Sequence, residues 1–230
     1  VGSLNILNSA LKKNISQVIQ ISTSEVYGTP KKVPITENFP LNAQSPYAAS
    51  KIAADQLSLS FYKSFNLPVS IIRPFNTYGP RQSARAIIPT IITQALQNKE
   101  IKLGSLHPKR DLMYVEDTVR GIYAAIGNKK TLGQVINLGT EYEITIKNLV
   151  EKISKILGYK INYKTEEKRK RPKKSEVDRL CASNKKAKKL LNWRPKYLKE
   201  KGLEYGLSKT IDWFRKEKNL KFYKYSDYNY

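Results

Sequence analysis

Two short runs rich in β-branched and aliphatic residues, Gln17-Val18-Ile19-Gln20-Ile21-Ser22 and Val69-Ser70-Ile71-Ile72-Arg73, bracket a polar loop and one long helical stretch. Antiparallel neighbours need only a tight turn between them. Parallel neighbours need a crossover of about a dozen residues or more, usually a helix. The order strand, loop, helix, strand therefore predicts a parallel sheet in an α/β fold. The loop, Lys31–Ser45, carries Pro34 and Pro40, and Pro74 ends the second run. Ahead of the first run, Leu4, Ile6, Leu7, Ala10 and Leu11 make an apolar stripe at helical spacing within Val1–Lys13. In such folds chemistry sits on the loop beyond a strand's C-terminal end, which here is Thr23-Ser24-Glu25-Val26-Tyr27-Gly28.

The helix between the strands opens on Ser45-Pro46-Tyr47-Ala48-Ala49-Ser50-Lys51. Ser45 is suited to cap the free N–H groups, and Pro46 sits in the first turn, where its missing N–H costs nothing. The helix is expected to run to about Asn66, with Ile52, Ala53, Leu57, Leu59, Phe61 and Phe65 available for its buried side. Tyr47 and Lys51 stand four residues apart, so they share a face. A lysine beside a phenol favours the phenolate, which a tyrosine needs to act as a base near neutral pH. Taken alone, the same spacing also describes an ordinary surface Tyr/Lys pair.

Further along, Phe75–Arg85 reads as a loop, Ile87–Gln97 as a helix and Ile101–Leu103 as a strand. Arg110–Val115 reads as a loop entering an extended segment, with Asp117 capping a helix over Val119–Ile126. Val135–Gly139 is a strand and Ile144–Leu157 an amphipathic helix with Thr145 near its start. Lys164–Lys174 is expected to be a solvated loop, Asn184–Leu191 and Gly202–Lys218 two helices, and Asn219–Tyr230 a frayed tail.

With 230 residues, 40% of them hydrophobic, the chain can bury a core. The net charge of +23 is mostly lysine and concentrates after Lys147. It admits an anionic partner but argues no specific nucleic-acid code. A single cysteine, Cys181, and a single histidine, His107, leave no intramolecular disulfide framework and no metal site of the Cys-cluster or multi-histidine kind. No apolar run reaches the length of a membrane span and no signal peptide opens the chain, so a cytoplasmic location is expected.

Five segments in order carry a resemblance: Ser22–Gly28, Tyr47–Lys51, Arg73-Pro74-Phe75-Asn76-Thr77-Tyr78-Gly79-Pro80-Arg81, Arg110-Asp111 with Tyr114-Val115-Glu116-Asp117, and Asn137-Leu138-Gly139. Together they resemble the extended short-chain dehydrogenase/reductase family, specifically its nucleotide-sugar epimerases and dehydratases. The resemblance implies the C-terminal portion of a Rossmann-like parallel sheet plus a smaller α/β substrate-binding domain. Residues 1–80, with interleaved segments to about 140, would belong to the NAD-binding domain, 81–218 mainly to substrate binding, and 219–230 to the tail. Family members begin with a strand and a Gly-rich phosphate turn. No GxGxxG or GxxGxxG occurs in this chain. About the first hundred residues of a usual member are thus expected to be absent, given the two βαβ halves of such a fold. A fragment of that kind should bind NAD poorly and be inactive by itself.

The resemblance also implies roles. Tyr47 would take a proton from a sugar hydroxyl during hydride transfer to NAD, with NADP as the alternative cofactor. Lys51 would hold the nicotinamide ribose, Thr23 would bond the reacting oxygen, and Pro74 would line the cofactor site. Ser24 and Glu25 select the reaction class. A 4-epimerase needs no extra acid or base there, whereas a 4,6-dehydratase must remove the C5 proton and expel the C6 hydroxyl. Glu25 suits the first task and Ser24 a proton relay for the second, a pairing that resembles the GDP-mannose 4,6-dehydratases. Asn76, Arg110 and Asn137 would contact the diphosphate and sugar, Arg171 a phosphate, and Glu176 a ribose hydroxyl. The runs Asn42–Tyr47 and Gly79–Pro89 resemble the N-acetylglucosamine 4,6-dehydratases of the legionaminic acid pathway. The expected partner is a nucleotide-diphosphate sugar, with a homodimer through Val1–Lys13 and Pro46–Asn66 if the full chain is present. UDP-glucuronate decarboxylation, 4-epimerisation, and non-catalytic binding of polyanions by a basic fragment are the competing readings.

Overall fold

The computed structural model describes residues 1–98 and 100–223. Its first half runs α1 (Gly2–Lys12), β1 (Val18–Ile21), a 3-10 turn (Ser24–Tyr27), α2 (Pro46–Phe65), β2 (Val69–Pro74), β3 (Asn76–Tyr78), α3 (Ile87–Gln97), β4 (Glu100–Leu103) and β5 (Lys109–Tyr114). There follow α4 (Val115–Tyr123), β6 (Val135–Leu138), β7 (Glu143–Thr145), α5 (Ile146–Leu157), β8 (Asn162–Thr165), α6 (Lys185–Leu191), α7 (Lys199–Phe214) and α8 (Glu217–Leu220).

The strand–helix–strand expectation holds. β1 pairs in parallel with β2, Val18 opposite Val69 and Ile21 opposite Ile72, and β2 pairs in parallel with β6. A second sheet runs β3-β5-β7, parallel then antiparallel, and a third joins β4 and β8 in parallel. The two rims of the first sheet are finished differently. At β6 the backbone N–H of Asn137 donates to the Glu37 carboxylate at 2.9 Å, and that of Gly139 donates to the Asn184 side chain at 3.0 Å. At the other rim β1 has β2 as its only strand neighbour among the described residues.

Helix α2 starts and stops as its chemistry dictates. Ser45 Oγ accepts the Ala48 N–H at 3.1 Å, and Asn66 closes the C-terminus in the left-handed conformation at φ 54°, a role open to Asn because its short side chain tolerates it. Its inner face differs from the expected apolar stripe: Ala48, Ala54, Asp55, Ser58 and Phe61 are buried, whereas Ala53 and Phe65 face outward. Small and polar side chains let the helix lie close to the sheet and leave room for a buried ion pair, described below.

Four further expectations are corrected. Phe75–Arg85 is not all loop, because Asn76–Tyr78 finds β5 as a partner, Asn76 opposite Leu112 and Tyr78 opposite Tyr114. Asp117 does not cap a helix starting at Val119: α4 starts at Val115, and the buried Asp117 carboxylate accepts the backbone N–H groups of Lys196 and Tyr197. The lysine-rich stretch is mostly exposed, as expected, but it is not all loop: Lys164 and Thr165 belong to β8, and Arg169 bonds back to Glu166 at 3.0 Å. The last long helix starts at Lys199 and breaks after Phe214, and α8 takes up Asn219 and Leu220 of the expected tail. The rest of that tail from 224 on lies outside the described residues.

The largest core gathers α3, α5 and α7 against β4, β5 and β7, around Ile91, Ile92, Leu149, Ile153, Leu207 and Phe214. Smaller cores lie on either side of the first sheet, around Leu7, Phe61 and Ile71 on one side and Ile72, Ile136 and Trp193 on the other. Among the described residues no helix is long and apolar enough to cross a membrane.

Candidate active site

A buried polar chain fixes the floor beneath the C-terminal ends of β1 and β2. Ser22 Oγ donates to Asp55 Oδ2 at 2.8 Å, and Arg73 Nε and Nη2 donate to the same oxygen at 2.9 Å. Arg73 Nη1 donates to the Tyr27 hydroxyl at 2.9 Å, which donates in turn to Asn137 Oδ1 at 2.8 Å. Burial pushes the Asp55 carboxyl up, opposed by the Arg73 charge and the Ser22 and Arg73 hydrogen bonds, and it also pushes the Tyr27 phenol up. The chain therefore ties α2, β1, β2 and the 24–27 turn to β6. Sequence reasoning missed Asp55 and Tyr27; the signal was a carboxylate one turn beyond Lys51 on a helix with an otherwise small or apolar inner face.

Above that floor stand the residues expected to do the hydride chemistry. Tyr47 lies in the first turn of α2 and is 53% exposed. Lys51, on the next turn, donates from Nζ to the Ile21 carbonyl at the end of β1, 2.9 Å away. Thr23 Oγ1 accepts the Glu25 N–H at 3.2 Å and so caps the turn. Ser24 is buried within the turn, and half-buried Pro74 closes β2, opposite Leu138 of β6. The exposed phenol and the ammonium at a strand's C-terminal end suit the nicotinamide-ribose end of a dinucleotide, the part of NAD these residues would hold.

A cleft of about 270 Å³ adjoins the turn. Its lining includes Glu25, Asn76, Arg110, Arg171 and Glu176, so the structure brings five of the expected site residues together. Arg110, on β5, pairs with Glu176 at 3.2 Å. Burial lowers the Arg110 guanidinium below its ordinary value, partly offset by the nearby Glu176 and Glu25 charges. Arg171 reaches Glu25 at 3.7 Å. Two oxygens in this lining, Asn76 Oδ1 and Gln82 Oε1, are buried without a partner among the described residues. Each is an acceptor that a ligand hydroxyl or amide would satisfy. Asn137 is placed elsewhere. It is fully buried, and its side chain is engaged with Tyr27 and the Ile35 carbonyl, so its amide serves the floor and does not face the cleft.

Arg85, Lys102, Gly104 and Arg169 also line the cleft and had not been assigned a role. Gly104 carries the clearest signal: a Cβ there would lie 2.2 Å from the Arg169 carbonyl oxygen, so only glycine lets the end of β4 approach the 166–171 segment.

A parallel α/β scaffold, a Tyr/Lys pair on the helix after β1 and an anion-suited cleft beside its C-terminal end define a nucleotide-handling class. The family model described as GDP-mannose 4,6 dehydratase matches residues 1–205, and the chain belongs to that family. It is 30% identical over 219 residues to a dTDP-glucose 4,6-dehydratase of Actinoplanes sp., covering 94% of this chain and 65% of that one. The structure of dTDP-glucose 4,6-dehydratase from Bacillus anthracis in complex with NAD superposes with a TM-score of 0.84 at 32% identity, over 95% of this chain and 68% of that one. That of UDP-glucuronic acid 4-epimerase from Bacillus cereus, in complex with UDP-glucuronic acid and NAD, gives 0.85 at 29% identity, over 93% and 66%. The chain thus spans about two thirds of the length of the proteins it matches.

Proposed function

We propose that this chain carries the catalytic and sugar-nucleotide-binding portion of an NAD-dependent nucleotide-sugar 4,6-dehydratase. The observation that carries this reading is the position of Glu25, on the turn after β1 and in the lining of the same cleft as Asn76, Arg110 and Arg171. An epimerase inverting C4 has no use for a carboxylate at that place, whereas elimination of water across C5 and C6 requires a base.

Bound NAD would supply the hydride acceptor for C4 and the hydride later returned to C6. Tyr47 takes the proton of the C4 hydroxyl, and Lys51 would hold the nicotinamide ribose. Thr23 Oγ1 bonds the C4 oxygen as it becomes a carbonyl. The carbonyl acidifies the C5–H, and Glu25 takes that proton. The proton taken by Glu25 passes through Ser24 to the C6 hydroxyl, which leaves as water as the C5–C6 double bond forms. Once the hydride is returned to C6, C5 takes up a proton through Glu25, matching the one Tyr47 removed from the C4 hydroxyl, and the 4-keto-6-deoxy sugar results. Arg110 and Arg171 hold the diphosphate, Glu176 a ribose hydroxyl, and Asn76 accepts from a sugar hydroxyl.

The test is turnover by the protein expressed from its complete reading frame, with NAD and a panel of GDP-, UDP- and dTDP-hexoses. Formation of a 4-keto-6-deoxy sugar that is lost in Glu25→Gln is the expected result. Release of CO₂ from UDP-glucuronate, or inversion at C4 alone, would replace this reading with decarboxylation or epimerisation.

A further inference from the structure

The cations of the cleft are not equally committed. Lys102 pairs with Glu166 at 3.1 Å, Arg169 with the same carboxylate at 3.0 Å, and Arg110 with Glu176 at 3.2 Å. The Arg171–Glu25 contact is the longest of these, 3.7 Å. The Arg171 side chain is half exposed, whereas that of Glu25 is 16% exposed. One partner is therefore tethered in the turn and the other is free to swing. A carboxylate at that distance is a weak competitor for a guanidinium against a phosphate, which offers several oxygens in bidentate geometry.

We infer that Arg171 exchanges partners: it holds the Glu25 carboxylate in the arrangement described here, and the diphosphate of an arriving sugar nucleotide takes it away and exposes Glu25. The inference rests on the reading of the cleft as a nucleotide-sugar site. Exchange is favoured over simple addition by charge. A diphosphate placed beside Arg171 while Glu25 still held it would bring like charges together inside a partly desolvated cleft. Arg110, buried and already felt by Glu25, Glu176 and Arg171, fixes the other side of that cluster. The consequence is an order of events. The carboxylate assigned to the C5 proton is masked until the phosphates of a ligand are seated, so a sugar lacking them would meet a base already occupied.

Calorimetric titration of the protein with UDP, GDP and dTDP tests this without turnover. Glu25→Gln removes the competitor and should tighten the nucleoside diphosphate about fivefold, while Arg171→Met should weaken it about tenfold. In the Arg171→Met background, Glu25→Gln should change affinity by less than about twofold, since the competition has gone. An equal tightening in both backgrounds would mean general repulsion and would overturn the exchange; so would no change, or weaker binding, on Glu25→Gln alone. Glu25→Ala gives an independent removal if the glutamine variant does not fold. If the wild-type protein binds none of the three nucleotides, the nucleotide-sugar reading fails and takes this inference with it. Binding without coupling overturns the exchange alone.

Discussion

Asp111, on the middle strand of the second sheet, ties that sheet to the 140–141 and 182 segments. It is fully buried on β5, and its carboxylate accepts the Thr140 N–H at 2.8 Å, the Thr140 hydroxyl at 2.6 Å, the Glu141 N–H at 3.1 Å and the Ala182 N–H at 3.0 Å. These bonds hold Glu141 in the left-handed region at φ 59°, where a β-carbon is ordinarily unwelcome. Burial pushes the carboxyl up from 3.8 to about 6, the four donors opposing it. A carboxyl raised above its unfolded value contributes stability that is present below that value and lost as pH rises through the folded one. The unfolding free energy of the wild type relative to Asp111→Asn should therefore decline between pH 4 and pH 7, by at most about 3 kcal/mol for a shift of this size. Urea titrations across that range check it, and a flat difference would show that Asp111 ionises normally. Nothing local in the sequence marks Asp111 as an inward-facing hub. The same holds for Asn137: its place in a matched segment suggested a ligand contact, and only the folded chain shows its amide bonded to Tyr27 and Ile35. Burial of a polar group is decided by what the rest of the chain brings to it.

At the scale of elements, strands and helices with their own apolar pattern were legible: β1, β2, α3, α5 and β6 lie within a few residues of where their sequences predict them. β3 was not, because Asn76-Thr77-Tyr78 has no pattern of its own and becomes a strand only by pairing with β5. The inner face of α2 was misread for the converse reason, since hydrophobicity counts could not anticipate that Asp55 and Ser58 would go inside. The cleft depends on a comparable long-range contact, the approach of the end of β4 to the 166–171 segment. Gly104→Ala would drive a Cβ to 2.2 Å from the Arg169 carbonyl. Because a backbone atom must yield, the variant should lose about 1–3 kcal/mol of stability and bind nucleoside diphosphates more weakly. Chemical denaturation together with calorimetry would measure both, and an unperturbed variant would mean that the wall yields freely.

Over the whole molecule, the proposed site would draw on both sheets. Thr23, Ser24, Glu25, Tyr47, Lys51 and Pro74 come from the first sheet, its turn and its crossover helix, while Asn76 and Arg110 come from the second sheet and Arg171 and Glu176 from the segment after β8. Glu25, Asn76 and Arg110 were readable from the ordered motifs and Arg171 and Glu176 only from the family resemblance; periodicity alone could have supplied none of them. The net charge of +23 is a different matter from those few arginines. Most of it is surface lysine, screened beyond about 8 Å at physiological salt, and it predicts solubility and loose polyanion contact more than a site. The unequal finish of the first sheet's two rims also has a kinetic reading. The N–H groups of Val18 and Ser22 donate to the Pro68 and Ile72 carbonyls at 2.8 Å, so by alternation those of Ile19 and Ile21 point to the rim where no strand among the described residues pairs with β1. In deuterated solvent Ile19 and Ile21 should exchange their amide hydrogens orders of magnitude faster than Asn137 and Gly139, whose N–H groups are held by Glu37 and Asn184. Comparable protection at both rims, read by NMR, would show that β1 is covered in solution; the expected asymmetry would make β1 the side from which this sheet opens.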